Sequence, residues 1–274
     1  MKHNRQSKYY KTEGIVLKGM PLGDRDRLIS LYTQDYGRVR LVARGIRKIS
    51  SKLSGHLDTF NRVVVSISSR SSIDSISGGE VVETFKELKT DLKITARAFY
   101  IVELIDDFVA DGSVNEELYS LLLTTLRELD LLARSISVGS QRVTMEEDVE
   151  LLMRFFELNL LIDSGYAPEL SMCVVCNQPL STEGNGYSVE MGGLVGQTCY
   201  LQTKAVQPIS VAAIKCLRFL SGAKIRVAQK LRINPVLMSE IQMILQKFTM
   251  NINERKISAR QLIDSINTIS EGKQ

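Results

Sequence analysis

The segment at residues 38–44, RVRLVAR, combines basic and apolar side chains in a pattern that suits contact with a polyanion. Successive side chains of a β-strand point to opposite faces, so one face of this segment collects Val39, Leu41 and Ala43. The opposite face collects Arg38, Arg40 and Arg44. Guanidinium groups donate paired hydrogen bonds to phosphate oxygens. The pattern therefore predicts a strand that fills a small core on one side and binds a phosphate backbone on the other.

Further basic side chains flank this strand and extend its charge. They are Arg25, Arg27, Arg47, Lys48 and Lys52. Residues 1–52 contain thirteen Lys and Arg against four Asp and Glu, a net charge of +9, whereas the whole chain carries only +4. Such asymmetry favours a polyanionic partner for the basic region. A solvated basic surface without a partner is the alternative interpretation.

Three cysteines form a second group of residues with a possible chemical role, as metal ligands. Cys173 and Cys176 make a C-x-x-C knuckle, which can supply half of a tetrahedral zinc site, and Cys199 follows later. A complete zinc ribbon has a second pair, and Gln202 stands where its last cysteine is expected. The pattern leaves two alternatives: a structural zinc site lacking a fourth protein ligand, or a hairpin without zinc. Cys216 is predicted to lie in a helix core.

Catalytic patterns are missing from the sequence. It has no G-x-x-x-x-G-K-[ST] phosphate loop. Its only histidines are His3 and His56, so the sequence does not favour a histidine-based nucleophilic triad. The acidic pairs 106–107 and 146–147 are expected on solvated helix faces. The N-terminus lacks the apolar core of a secretory signal, and no apolar run is long enough to cross a membrane. The sequence thus predicts a cytoplasmic, non-enzymatic binding protein without membrane contact.

Residues 9–84 are predicted to be β-structure, with four or five short strands in about 75 residues. We expect turns at 21–26 and 35–37, a serine-rich loop at 68–77 and a turn at Gly78-Gly79. This size and strand number favour an OB-type barrel, whose outer face commonly binds oligonucleotides. Tyr32 and Tyr36 either stack on bases there or belong to the barrel core and its turns.

From Leu88 onward the apolar residues recur at helical spacing. Capping-box patterns at 113–116 and 144–147 predict the starts of two helices, and Ser210 and Asn234 the starts of two more. The predicted fold class is α+β: an OB-fold domain at 1–84, then an α-helical domain at 85–274. Within the helical domain, residues 169–204 are predicted to be a ribbon-like insertion that contains the cysteines.

Several sequence blocks resemble the RecO family of bacterial DNA repair proteins. They are GIVLK at 14–18, LGDRDRL at 22–28, YGRVRLVARGIRK at 36–48 and LIDSGYAPEL at 161–170. The last block leads into the C-x-x-C knuckle, with Gly192-Gly193 shortly before Cys199. The resemblance covers nearly the whole chain and is weakest at 110–145 and after 222. It implies an N-terminal OB fold, a helical C-terminal domain and a zinc-ribbon-like insertion.

The resemblance also implies a function in DNA repair and recombination. RecO-like proteins bind single- and double-stranded DNA and anneal complementary strands without ATP. With RecR they help to load RecA onto strands coated by single-strand binding protein (SSB), whose C-terminal tail they contact. On this basis we expect a nucleoid-associated protein whose DNA contacts are the eight basic residues named above.

Two other function classes remain open on the residues alone. A non-catalytic scaffold would use the basic face to dock an acidic protein partner. An enzyme such as a nuclease would need a carboxylate or histidine cluster, which the sequence does not show.

Overall fold

The computed structural model describes residues 9–47, 53–69, 73–137 and 142–252, together with Ile263 and Ile266. The chain divides into two compact units, one of residues 1–138 with 257–274 and the other of residues 139–256. The first unit thus joins the β-structure to the first long helices. The sequence predicted a domain boundary after residue 84, meaning that residues 1–84 and 85–274 fold independently. The division into compact units does not test independent folding, so this boundary stays a prediction.

The first unit is built around a closed five-stranded barrel in the order β1-β2-β3-β5-β4. Its strands are β1 (Tyr9–Leu22), β2 (Asp26–Thr33), β3 (Gly37–Ala43), β4 (Arg62–Ser68) and β5 (Ser75–Glu83). Strand β3 pairs with β5 in parallel, whereas the other neighbouring strands are antiparallel. The predicted barrel is confirmed.

The barrel core collects the apolar residues of alternating strand positions. Val39, Leu41 and Ala43 of β3 are buried in it, as the period of two predicts. The other strands contribute Ile29 and Leu31 on β2, Val63, Val65 and Ile67 on β4, and Ile76 on β5. Because these inward positions are apolar, the barrel is a packed core, and its outer face carries the polar chemistry.

Two predicted turns are strand instead. Strand β1 continues through Pro21 and Leu22, so the turn into β2 is confined to residues 23–25. The Gly78-Gly79 pair lies inside β5, where the register against β4 shifts between Ser66 and Ile67. Glycine inside a strand often marks such a bulge, because it removes the side chain that would resist the local bend.

The tight turn before β3 requires glycine. Gly37 has a φ of +63°, and a Cβ on it would lie 2.0 Å from the backbone oxygen of Ser113. The segment 111–113 runs beside the start of β3, since the amide of Gly112 donates to the Arg38 oxygen at 2.9 Å. One end of β3 is therefore covered by the chain that follows the first helix.

The helices of the first unit follow a short 3₁₀ turn at Glu87–Lys89. They are α1 (Leu92–Phe108) and α2 (Glu116–Ser137). The Asp91 carboxylate caps α1 by accepting from the amides of Lys93 and Ile94. At α2 the cap is Asn115, which accepts from the Leu118 amide at 3.0 Å, rather than the predicted Ser113.

An ion-pair network fixes α2 to the barrel wall. Arg62 of β4 donates to both carboxylate oxygens of Glu13, at 2.8 and 2.9 Å, and the Tyr119 hydroxyl of α2 donates to Glu13 at 2.8 Å. These hydrogen bonds, opposed by partial burial, lower the pKa of Glu13 below its usual value of 4.5. Arg127 of α2 adds a second link, to Glu83 at 2.9 Å.

The second unit consists of helices around a small sheet. Its elements are α3 (Arg142–Asp163), β6 (Gly186–Ser188), β7 (Gly193–Val195), α4 (Gln197–Tyr200), β8 (Gln207–Pro208), α5 (Val211–Gly222), α6 (Ile225–Ala228) and α7 (Pro235–Ile252). Helix α3 packs against α5, α6 and α7. The predicted caps at Ser210 and Asn234 are confirmed. Helix α3 begins at Arg142, two residues before the predicted Thr144.

A buried ion pair lies inside α3. Arg154 is 1% exposed and contacts Glu157, itself 0% exposed, at 3.2 Å. Its other contact is Glu150, at 3.9 Å. Removing one member would leave an uncompensated buried charge, so this ion pair is needed for the stability of the second unit.

Candidate nucleic-acid interface

The structure gathers three of the predicted DNA-contacting arginines at one end of the barrel. The turn at 23–25 and the turn at 44–47 are joined by a hydrogen bond from the Arg47 amide to the Arg25 oxygen, at 3.1 Å. Arg25, Arg44 and Arg47 are all exposed there. We call these three residues the basic rim. In the described part of the chain, none of the three forms an ion pair with a carboxylate.

Arg40 lies on the outer face of β3, between the rim and the covered end. Its side chain is 48% exposed, and its nearest charged partner is Asp111 at 3.8 Å. The register places Ser30 beside Arg40 and Lys18 beside Ser30, which makes one row across three strands. Lys18 is exposed and extends the basic face. Sequence reasoning missed Lys18 because only the cross-strand register places it in the same row as Arg40, two strands away.

Arg38 lies in a different setting, although it belongs to the same strand face. Its side chain is 11% exposed, and its Nε donates to the Asp111 carboxylate at 2.6 Å. Its Nη1 donates to the Asp106 backbone oxygen and lies 3.6 Å from the Asp106 carboxylate. Arg38 thus ties β3 to α1 and the segment after it. Its predicted DNA contact stays a prediction, and these carboxylates compete with any phosphate.

The remaining predicted contacts have separate locations. Arg27 pairs in register with Ala43, an inward position, and its side chain lies near Gly19 at the barrel end. It is half-buried. Lys48 and Lys52 lie outside the described residues. The structure therefore brings together Arg25, Arg44 and Arg47, places Arg40 next to them along β3, and separates Arg27 and Arg38 from them.

The two aspartates of the first turn form no ion pair with the rim arginines among the described residues. Asp26 accepts from the backbone amide of Gly45 at 2.7 Å, which joins the two turns of the rim. Asp24 is exposed and forms no ion pair among the described residues. Asp26 therefore supports the rim through the backbone, while Asp24 adds a negative charge that opposes phosphate binding.

The two tyrosines considered for base stacking are packing residues. Tyr32 is 0% exposed, and its hydroxyl donates to the Asn115 oxygen at 3.2 Å. Tyr36 packs against Tyr10 with ring centroids 4.8 Å apart. Other apolar side chains of this sheet are exposed instead, namely Tyr9, Met20, Leu22 and Val82, at 41–49%.

The three cysteines of the second unit come together. The sulfur atoms of Cys173, Cys176 and Cys199 lie within 4.8 Å of one another. Sulfurs bound to one tetrahedral zinc at about 2.3 Å lie about 3.8 Å apart, so the cluster fits three of the four ligand positions. No fourth His, Cys, Asp or Glu joins them among the described residues. The cluster can hold a metal, and its fourth position is open.

Local backbone groups favour a thiolate at Cys173. Burial alone would raise its pKa, but the amides of Gly196, Cys176 and Val175 donate to the sulfur and lower the pKa to about 7. The Cys199 thiol donates to the neighbouring cysteine sulfurs, chiefly Cys176, and this stabilises its protonated form and raises the pKa of Cys199 to about 11. Cys216 lies in α5, where burial raises its pKa to about 11, as expected for a core thiol.

The first unit contains an OB-type barrel with a basic rim, and the second unit is helical and carries a cysteine knuckle. Few protein classes combine these features. Two family models match this chain: Recombination protein O N terminal at residues 7–85, and Recombination protein O C terminal at residues 89–138 and 141–258. The chain belongs to the RecO family of DNA repair proteins.

Individual relatives agree with this assignment. The chain is 34% identical to the DNA repair protein RecO of Dehalococcoides mccartyi strain BAV1 over 257 residues, which cover 94% of this chain and 96% of that protein. It is 30% identical to the DNA repair protein RecO of Roseiflexus sp. strain RS-1, over 95% of this chain and 87% of that protein. Within the described residues, we find no helix with the length and apolarity needed to traverse a bilayer.

Proposed function

We propose that this protein is a non-catalytic recombination mediator that binds single- and double-stranded DNA and anneals complementary strands without ATP. Acting with RecR in the bacterial cytoplasm, at the nucleoid, it helps to load RecA onto strands coated by SSB, and it contacts the C-terminal tail of SSB. The observation that carries the proposal is the basic rim, because its three exposed arginines form no ion pairs among the described residues. Membership in the RecO family supports it.

The geometry suits backbone contact better than base readout. The rim arginines and Arg40 are exposed on the outside of the barrel and its turns, where they can neutralise phosphates of strands in any sequence context. Annealing needs two like-charged strands held close together with their bases free to pair. A cationic surface that contacts phosphates lowers the repulsion and leaves the base edges unoccupied.

The described residues give little support to a nuclease. Among them, the cysteine cluster is the one group of three or more His, Cys, Asp or Glu side chains close enough to share a metal ion. Metal-dependent DNA cleavage typically uses clustered carboxylates that position the ions on the reacting phosphate. The scaffold alternative is also disfavoured, because the chain belongs to a family of DNA repair proteins.

Strand annealing by the purified protein tests the proposal. Two complementary oligonucleotides, one carrying a fluorophore and one a quencher, are mixed with the full chain across a salt series, without nucleotide or added metal. We expect accelerated annealing that fades steeply with salt, because each phosphate contact on a single strand contributes about −0.7 to the slope of log affinity against log salt. Binding without acceleration would contradict the annealing role. No DNA binding would favour the scaffold, and cleavage products would show an enzyme.

The zinc question is settled by metal analysis of the same protein. If the cluster holds a structural zinc, the protein contains about one zinc per chain, and Cys199→Ser lowers that content. A zinc-free protein would show the hairpin alternative. In either case we expect Cys199→Ser to leave the salt dependence of DNA binding unchanged, because it removes no positive charge and therefore no phosphate contact.

A further inference from the structure

The second unit contains a long stretch without any acidic residue. Residues 191–239 hold no Asp or Glu among 49 residues, although the chain as a whole has 31 in 274. The same stretch holds seven basic residues: Lys204, Lys215, Arg218, Lys224, Arg226, Lys230 and Arg232. Since a merely solvated surface mixes both signs of charge, this segregation points to an anionic partner.

Two of these basic residues are used within the second unit. Arg218 donates to the Leu170 oxygen at 2.6 Å, and Arg232 pairs with Asp148 of α3 at 3.1 Å. The others between 215 and 230 are exposed, namely Lys215, Lys224, Arg226 and Lys230. In the ranges that the structure describes, no carboxylate or other side-chain partner holds any of these four. Their charge is available to a ligand.

Helix α5 presents a cation next to an aromatic ring. Lys215 and Phe219 are four residues apart on this helix, so their side chains lie on the same face one turn apart. Phe219 is 41% exposed, while Ala213, Ile214, Cys216, Leu217 and Leu220 of the same helix are buried. An exposed ring beside a cation is the combination with which proteins stack a base and contact its phosphate.

The chain beyond α5 continues the positive surface. Lys224 precedes α6, and helical hydrogen bonds extend from the Gln229 amide to the Ile225 oxygen and from the Lys230 amide to the Val227 oxygen. Arg226 therefore lies in α6 and Lys230 in the turn that directly follows it, and both side chains are exposed. The segment 215–230 thus presents four exposed cations and one exposed ring within sixteen residues.

We propose that residues 215–230 form a second binding surface for single-stranded DNA. Phe219 stacks on a base, and Lys215, Lys224, Arg226 and Lys230 contact the phosphates on either side. The inference rests on the proposed annealing function, and it supplies what annealing needs: two cationic surfaces on one chain, each able to hold a strand. An extended line of cations suits a nucleic acid backbone better than a short acidic peptide, which needs a confined site.

A pair of charge-matched double variants tests this surface. R226Q/K230Q removes one Arg and one Lys from the segment, and K86Q/R134Q removes one of each from exposed positions in the first unit. Binding of a fluorescein-labelled oligothymidine is measured by anisotropy across a salt series. We expect the salt slope of R226Q/K230Q to fall in magnitude by about 1.4, two contacts at 0.7 each, and that of K86Q/R134Q to stay at the wild-type value.

The ring is tested separately. Phe219→Leu keeps an apolar side chain but removes the stacking surface, and we expect oligothymidine affinity to weaken about fivefold or more without a change in salt slope. Circular dichroism melting checks that each variant folds. A wild-type affinity for F219L together with a wild-type slope for R226Q/K230Q would overturn the inference.

The outcomes separate this inference from the proposed function. If variants of the basic rim lose DNA affinity and R226Q/K230Q behaves as its control, the second surface is wrong and the mediator function stands. If the wild-type protein binds no DNA at all, the proposed function is wrong, and the inference that rests on it is wrong as well. If R226Q/K230Q binds DNA normally but loses affinity for an acidic peptide, the surface serves a protein partner and our assignment is overturned.

Discussion

The two ends of strand β3 present the same residue type in opposite circumstances. At the N-terminal end, Arg38 is nearly covered and contacts Asp106 and Asp111. At the C-terminal end, Arg44 is exposed beside Arg25 and Arg47, and none of them forms an ion pair among the described residues. The two ends are six residues apart, about 20 Å along the strand.

The difference shows that a strand face does not have a single function. The carboxylates that hold Arg38 come from α1 and the segment after it, more than 60 residues away in sequence. Where this later chain covers the barrel, an arginine becomes part of the packing. Where the barrel is left uncovered, the same residue type remains available for phosphate, and the following predictions test that division.

The largest effect is expected at the covered end. Arg38→Ala removes a nearly buried guanidinium and takes from Asp106 and Asp111 their nearest cation, so we expect a loss of about 2–3 kcal/mol in unfolding free energy. Urea unfolding measures it. An R38A protein of wild-type stability with weakened DNA binding would place Arg38 in the interface and remove the distinction between the two ends.

A smaller effect is expected where α2 meets the barrel. The pKa of Glu13 is lowered in the folded protein, so its contribution to stability is present above about pH 4.5 and is lost as the pH falls through the folded value. We expect Glu13→Gln to cost about 1 kcal/mol at neutral pH. The cost should shrink as the solution is acidified below pH 4.5.

Urea unfolding of wild type and E13Q at several pH values checks this second prediction. If the unfolding free energies of the two proteins changed in parallel with pH, the pKa of Glu13 would be the same in the folded and unfolded states, which would contradict the prediction. Glu13→Gln is not expected to alter DNA affinity, because its side chain faces Arg62 and Tyr119.

The smallest effect is expected at the exposed aspartate of the rim. Asp24 has no ion-pair partner among the described residues, and its charge repels a phosphate bound to the neighbouring arginines. Asp24→Asn should therefore strengthen DNA binding by about twofold at low salt, an effect that screening removes at high salt. Anisotropy titration measures it, and a weaker complex would mean that Asp24 orients an arginine after all.

Much of the fold follows from local patterns in the sequence. The period of two in residues 38–44 placed Val39, Leu41 and Ala43 in the barrel core, and the caps at Ser210 and Asn234 marked two helix starts. The errors have local causes. Gly78-Gly79 has the composition of a turn but lies at a bulge inside β5, and Asn115 competes with Ser113 as the cap of α2.

The site was less predictable than the fold, because it depends on contacts between distant segments. Alternation put Arg38 and Arg44 on one face but could not show that Asp106 and Asp111 reach Arg38. The cross-strand neighbour Lys18 likewise needed the register of β1. In contrast, the acid-free stretch at 191–239 is visible in the sequence, and counting carboxylates by region would have found it.

The salt dependence of DNA binding by a rim variant tests whether the uncovered end of β3 binds the DNA backbone, as we claim. R25Q/R44Q removes two exposed charges that make no side-chain contact among the described residues, and K86Q/R134Q is again its charge control. We predict that the magnitude of the slope for oligothymidine falls by about 1.4 in R25Q/R44Q and not at all in the control. Equal slopes in the two variants would contradict the claim, because the rim would then contribute no more than any other exposed charge.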